Sequence, residues 1–341
     1  MRKRATCAHV PTSHAPHVVV ATHGHCFDGL CAAVMFTHLY RHCFPMDGAT
    51  FSYHGAGYGP GQNGVDPRVL SGDVCAILDF RFSAVESLTW YFDHHVSAFV
   101  TSEERAFYER RVVEGEALGQ RRMFHDGAYT SATKLIADVG RDRFGLDLGP
   151  TGELVRWADI IDSAAFPSAK FAVERREPEL KLMTVIEQGG DDPFLASMVP
   201  RLLEEPLGEV ARSREIEEMF APLGRAHEAF VKLVEQRAME IGRVVLVDLS
   251  DQLIEVAGKF VPYALYPKSA YSVLLSRSKS KCKISIGYNP WSPEPRRHNI
   301  AAICERHGGG GHLVVGAISL PADGVDEAKA LAASIAGELA A

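Results

Sequence analysis

No stretch of this sequence approaches the roughly 18 uninterrupted apolar residues that a membrane helix requires, so no membrane span is expected. Its opening, MRKRATCAHVPTSHAPH, is charged but lacks the apolar run of a secretory signal. Cysteine is sparse and irregular: Cys7, Cys26, Cys31, Cys43, Cys75, Cys282 and Cys304 form no CxxC pair. Such a set fits the reduced thiols of a cytoplasmic protein better than a disulfide framework. Cationic excess is also missing. With 36 Lys+Arg against 43 Asp+Glu the net charge is −7, which argues against stable binding to duplex DNA. There is no internal repeat, and no low-complexity tract beyond one glycine run. What remains is an ordinary globular chain, 341 residues with 46% hydrophobic content, about two domains by length.

The charge is unevenly spread. Residues 241–341 hold 11 Lys+Arg and 9 Asp+Glu, so the acidity lies in the first 240 residues. From Val256 to Pro293 the chain carries Lys259, Lys268, Arg277, Lys279, Lys281 and Lys283 and no acid. A local basic strip on an acidic protein suits a short anionic ligand, or simply the lysine-protected edge of a sheet.

Hydrophobic patterning predicts strands at His17–Thr22, Asp73–Phe80 and Leu88–Asp93, each a continuous apolar run, with a helix at Asp28–Phe44. Continuous strands interleaved with helices indicate a parallel sheet covered on both faces. Further helices are expected at Thr130–Val139 and Gly152–Ile161. Gly208–Ile241 reads as one long charged helix, or two broken at Pro222. Strands follow near Arg243–Leu249, Tyr271–Ser276, Lys283–Tyr288 and Leu313–Leu320, with helices at Ile300–Arg306 and Val325–Leu339. The expected fold class is therefore α/β. A tail of residues 1–16 precedes a parallel-sheet domain (17–205), a helical linker (206–241) and a smaller α/β domain (242–341).

Ten of the 15 histidines fall in the first 95 residues, several of them where strands end. Parallel sheets bind ligands beyond the carboxyl ends of their strands. The first strand end offers His23, His25, Cys26 and Asp28, the second Asp79, the third Asp93, His94 and His95. One such Asp is ordinarily a helix cap or turn former. Three sheet ends that all deliver Asp or His match the needs of a two-metal phosphoryl-transfer site.

Four segments of this region resemble the motifs of the DHH phosphoesterases: THGHCFDGLCAA (residues 22–33), ILDF (77–80), DHH (93–95) and WADIIDSAAF (157–166). HNIAAICERHGGGGHLVVGAISL (298–320) and LLSRSK (274–279) are similar to the family's DHH-associated C-terminal domain. The compact two-domain layout resembles the nano-RNase and adenosine-bisphosphate phosphatase branch. The resemblance implies His23, Asp28, Asp79, His94 and Asp162 as metal ligands, with Asp79 bridging two ions, usually Mn2+. His95 would face the scissile phosphate. Asp159 competes with Asp162 for the fourth-motif role, and the DSAAF that follows favours Asp162. Gly309, Gly310, Gly311, His312 and Arg277 would bind the substrate, a short nucleotide or oligonucleotide. Tyr288 or Trp291 would stack on a base, or simply fill core.

One position departs from the pattern: Cys26 stands where the family has an Asp. It is either a lost ligand, with His25 or water in its place, or a thiolate suited to softer ions. That departure keeps open a non-catalytic or one-metal nucleotide-binding protein. A phosphatase of a non-nucleotide substrate is the other alternative. A homodimer is compatible with the sequence.

Overall fold

The computed structural model describes residues 14–46, 48–58, 64–254 and 258–341. They divide into two compact units. The first comprises the described residues up to Ala165 together with Glu177–Phe220, and the second comprises Phe166–Arg176 and Ala221–Ala341.

The first unit is built on β1 (His17–His23), whose run VVVA is buried on both faces. Around it lie β2 (Thr50–Ala56), β3 (Val74–Leu78), β4 (Leu88–Asp93) and β5 (Met123–His125), in the order β2-β1-β3-β4-β5 and all parallel. Helix α1 (Phe27–Cys43) is buried continuously from Phe27 to Thr37. A helix apolar all round must be enclosed, and α1 is packed by α3 (Ala132–Val139), α4 (Thr151–Asp162) and α7 (Asp192–Glu204). Its counterpart α2 (Ser102–Ala117) buries only Tyr108 and is held at its start by a capping box between Thr101 and Glu104. The chain contributes α5 (Ala169–Glu174) to the second unit and returns for α6 (Pro178–Gly189), α7 and α8 (Leu207–Ala211).

Helix α9 (Arg214–Arg237) contains the division between units, and Pro222 lies inside it without ending it. The helix expected to reach Ile241 stops at Arg237, and Ala238–Ile241 form β6 instead. The cause is a tight hairpin: Ile241 pairs with Val244 across Gly242, whose φ of +58° suits a two-residue turn.

The second unit continues with β7 (Val244–Leu253), α10 (Val261–Leu265), β8 (Tyr271–Arg277) and β9 (Lys281–Tyr288), then α11 (Ile300–Glu305), β10 (Gly310–His312), β11 (Val315–Pro321) and α12 (Val325–Ala340). Its sheet runs β10-β11-β9-β8-β7-β6, with only β7 and β8 parallel. Alternation along β7 fills two cores: Val244 and Leu246 join the one formed with α12, while Val245, Val247 and Leu249 join the one on the other face.

No helix among the described residues is long and apolar enough to cross a membrane. Cys26, Cys31, Cys75, Cys282 and Cys304 are free thiols. Cys43, the last residue of α1, is disulfide-bonded, which departs from the reduced set expected from the spacing.

Candidate metal centre

Adjacent parallel strands end at a common edge, so β1, β3 and β4 deliver His23, Asp79 and the Asp93–His95 run side by side. Helix α1 starts directly beyond β1 and adds Cys26 and Asp28. Its close seating requires Gly29, where a Cβ would lie 2.0 Å from the His23 carbonyl oxygen. Asp162, the last residue of α4, completes the group. Three triads have ligand atoms within 4.8 Å of one another: His23, Cys26 and Asp79; Asp79, His94 and His95; Asp28, His94 and Asp162.

Asp79 occupies the middle of the group. Its Oδ2 is 3.6 Å from His23 Nδ1, and its Oδ1 is 3.4 Å from His94 Nε2 and 3.8 Å from His95 Nδ1. The residue adopts φ +53°, a left-handed conformation that a non-glycine residue holds at some expense, typical of functional sites. Burial opposes its ionisation, but contacts with His23 and His94 and the charge of His95 prevail and hold its carboxyl at about 2.

Asp28 is anchored by the start of α3, accepting from Ala132 N (2.7 Å) and Thr133 N (3.1 Å). Burial, then repulsion from Asp79 and Asp162, pushes its carboxyl well up. His94 Nδ1–H donates to the Tyr129 carbonyl at 3.1 Å, which turns Nε2 towards Asp162 Oδ2 (3.3 Å) and Asp79 Oδ1. Burial resists protonation of this ring, yet Asp79, Asp28 and Asp162 together raise it to about 9. The carboxylates thus draw positive charge to their midst. Burial, followed by the carboxylates of Asp79 and Asp28, also pushes the Cys26 thiol well up.

His95 is held differently. Its Nδ1–H donates to Asp93 Oδ1 at 2.8 Å, and Asp93, fully buried, accepts the Tyr91 hydroxyl on Oδ2 at 3.0 Å. The Asp93 contact outweighs burial and raises the His95 ring. The roles of Asp93 and Tyr91 were not read from the sequence. The signal was present, since residues 91, 93 and 95 alternate along one strand and its extension.

His25 is exposed and belongs to none of the triads, whereas Cys26 lies in one. Asp159 belongs to none of the triads and pairs with Lys134 Nζ at 3.1 Å and with the Thr130 hydroxyl. Tyr58, 53% exposed, packs against Phe80 and edge-on to His23, with the Arg81 guanidinium 5.3 Å from its ring centre.

The remaining expected residues lie in the second unit. Arg277 ends β8, and its Nε donates to the Ala322 carbonyl. A Cβ on Gly309 would meet Ala317 O at 2.3 Å, and one on Gly311 would meet Val315 O at 2.3 Å. Backbone packing in the β10–β11 hairpin therefore demands both glycines, while Gly310 faces open space. His312 is exposed on β10. Trp291, half-buried, donates to the Phe166 carbonyl and packs edge-on against Phe260, while Tyr288 packs on Tyr271 at the margin of the core.

The donor set fits divalent cations. Buried Asp79 Oδ1 and His94 Nε2 have no hydrogen-bond partner, which is costly unless another species satisfies them. Clustered carboxylate, imidazole and thiol groups are what such an ion binds.

No protein-family description and no curated protein matches this sequence. Solved structures do share its fold. A pGpG-specific phosphodiesterase, PggH from Vibrio cholerae, is 18% identical with a TM-score of 0.64, over 94% of this chain and 98% of that one. RecJ from Thermus thermophilus, solved in complex with Mn2+, is 12% identical with a TM-score of 0.54, over 95% of this chain and 52% of that one. This chain therefore matches about half the length of RecJ.

Proposed function

We propose, on the premise that this chain has the fold of the DHH phosphoesterases, that it is a divalent-metal-dependent phosphoesterase acting on short nucleotides or oligonucleotides. The observation that carries this reading is the Asp79 carboxylate, one buried anion whose two oxygens face His23 on one side and His94 on the other. His23, Cys26 and Asp79 would hold one ion, and Asp28, Asp79, His94 and Asp162 a second, with Mn2+ the first candidate for the second set. Bound there, the ions supply neutralisation of phosphate charge and acidification of water.

The protein's own groups do the rest. Asp28 is fixed by two backbone amides and cannot swing away from the site. His95 is oriented by Asp93, which occupies Nδ1 and leaves Nε2 to contact the scissile phosphate or give a proton to the leaving oxygen. Asp162, rather than Asp159, serves the site, because Asp159 is engaged by Lys134. In this reading residues 17–205 perform the chemistry, and 242–341 bind the substrate through Arg277, the Gly310 amide and His312. The acid-free strip from Val256 to Pro293 supports an anionic ligand.

A dinucleotide is the substrate class to test first, since PggH is named for pGpG and matches over nearly all of both chains. The test is hydrolysis of a linear dinucleotide, a cyclic dinucleotide, 3′-phosphoadenosine 5′-phosphate and a 20-mer, with Mn2+, with Mg2+ and with chelator. Metal-dependent cleavage of the short linear substrate is expected. Binding of that substrate without turnover under every condition would leave a non-catalytic nucleotide-binding protein.

A further inference from the structure

The two ligand sets around Asp79 differ in chemical kind, and the difference rests on one sulfur. On one side, Asp28, His94 and Asp162 present only oxygen and nitrogen. On the other, Cys26 Sγ stands with His23 and Asp79, all three ligand atoms within 4.8 Å. Cys26 is a free thiol, only partly buried, at the N-cap position of α1, where its side chain makes no capping hydrogen bond. No rival donor comes from the same turn, because the His25 side chain is exposed outside the triad. Asp79 supplies both sides: its Oδ2 faces His23 at 3.6 Å, and its buried Oδ1, which makes no hydrogen bond, faces His94 at 3.4 Å.

We propose that the centre is chemically divided. His23, Cys26 and Asp79 form a subsite for a thiolate-binding ion such as Zn(II), Co(II) or Fe(II), and Asp28, His94 and Asp162, with Asp79 shared, form a hard subsite for Mn(II) or Mg(II). Thiolate and imidazole together select the first class, whereas carboxylate-rich sets suit the second. Binding at the first subsite breaks the S–H bond. The proton leaves to water, the sulfur lone pair goes to the ion, and no oxidant or reductant takes part. This division rests on the metal-centre reading above.

The test uses the full chain, stripped by chelator and reloaded with Co(II), with optical spectra and elemental analysis. The expected result is a thiolate-to-cobalt charge-transfer band that saturates at one equivalent while a second equivalent binds without adding to it. Cys26→Asp should abolish the band, retain two ions and shift preference towards Mn(II). Should that variant fail to fold, the wild-type protein decides by alkylation mapped to individual cysteines. Zn(II) should slow labelling of Cys26 by about tenfold or more, and Mg(II) should not. Two bound ions without a thiolate band, or equal labelling of Cys26 with and without Zn(II), would overturn the division and leave metal-dependent hydrolysis standing. Failure to bind any divalent ion would overturn both.

Discussion

Asp93 offers a sharp test of how the site works, because two substitutions there separate charge from shape. In Asp93→Asn the side-chain oxygen can still accept from His95 Nδ1–H, and the new NH2 can donate to the Tyr91 hydroxyl. That hydroxyl retains the Phe80 carbonyl as its own acceptor at 3.2 Å. Every partner stays satisfied, so little stability should be lost. What disappears is the negative charge behind His95. Hydrogen bonds to a charged group contribute about 1.5–3 kcal/mol and neutral ones about 0.5–1.5, so the deficit is about 1–1.5 kcal/mol. If His95 acts in its protonated form, kcat should fall by about tenfold with KM little changed. Asp93→Ala removes the acceptor itself and opens a small cavity. It should cost about 1–3 kcal/mol of stability and lower kcat further, because the ring is then unheld. Steady-state kinetics on a linear dinucleotide, paired with urea denaturation, reads both quantities. A folded Asp93→Ala protein with kcat within twofold of wild type would refute the positioning of His95.

Four further outcomes are expected. Asp79→Asn should abolish turnover with the melting temperature retained, since it removes the anion facing both ligand sets; near-wild-type rates would remove the two-ion reading. Asp162→Ala should lower metal affinity beyond the roughly 10–100-fold typical of outer-shell partners, measured by titration, whereas Asp159→Ala loses a partly exposed ion pair with Lys134 and the Thr130 hydrogen bond, and should cost about 1–2 kcal/mol in stability with metal affinity retained. Gly29→Ala places a methyl on the His23 carbonyl, so it should destabilise by about 1–3 kcal/mol and lower activity more than that loss explains; a neutral result in both assays would contradict the close seating of α1. In the second unit, Gly309→Ala should destabilise by a similar amount through the Ala317 carbonyl, while Gly310→Ala should leave stability intact and raise KM, and the reverse ranking would exclude a binding role for Gly310.

The candidate site's skeleton was legible because its residues stand at strand ends and helix starts, where apolar runs break. His23 ends one continuous hydrophobic strand, and Asp79 and His94 directly follow two others, so the pattern that marks each strand also marks the residue at its end. The strand pattern could not weigh Cys26 against His25. Two neighbours in a turn point in different directions according to the local backbone, and His25 sits at φ +54°. Asp159 and Asp162 posed the same problem on a helix, where three residues amount to most of a turn; in the structure Asp159 pairs with Lys134, and Asp162 stands in a triad with Asp28 and His94. In the fold, β2 escaped notice because it is an edge strand with half-buried, mixed residues. Helix α2 has almost no apolar face, although Thr101 and Glu104 announced its start. The glycine run carries no strand pattern, yet Gly310–His312 pair with β11 as an edge strand.

The enclosure of α1 has a consequence for how the site can be disturbed. Cys26 caps this helix and Asp28 lies in its first turn, and from Phe27 to Thr37 no face of it meets solvent. A ligand on a surface helix can be displaced by fraying, at an opening energy far below that of the whole domain. Here, releasing the helix as a whole means unpacking it from α3, α4 and α7. The amides of this segment should therefore exchange with solvent only through opening as rare as global unfolding. Asp28, a candidate ligand inside the enclosed run, consequently has no private route to disorder, and its placement persists for as long as the domain does.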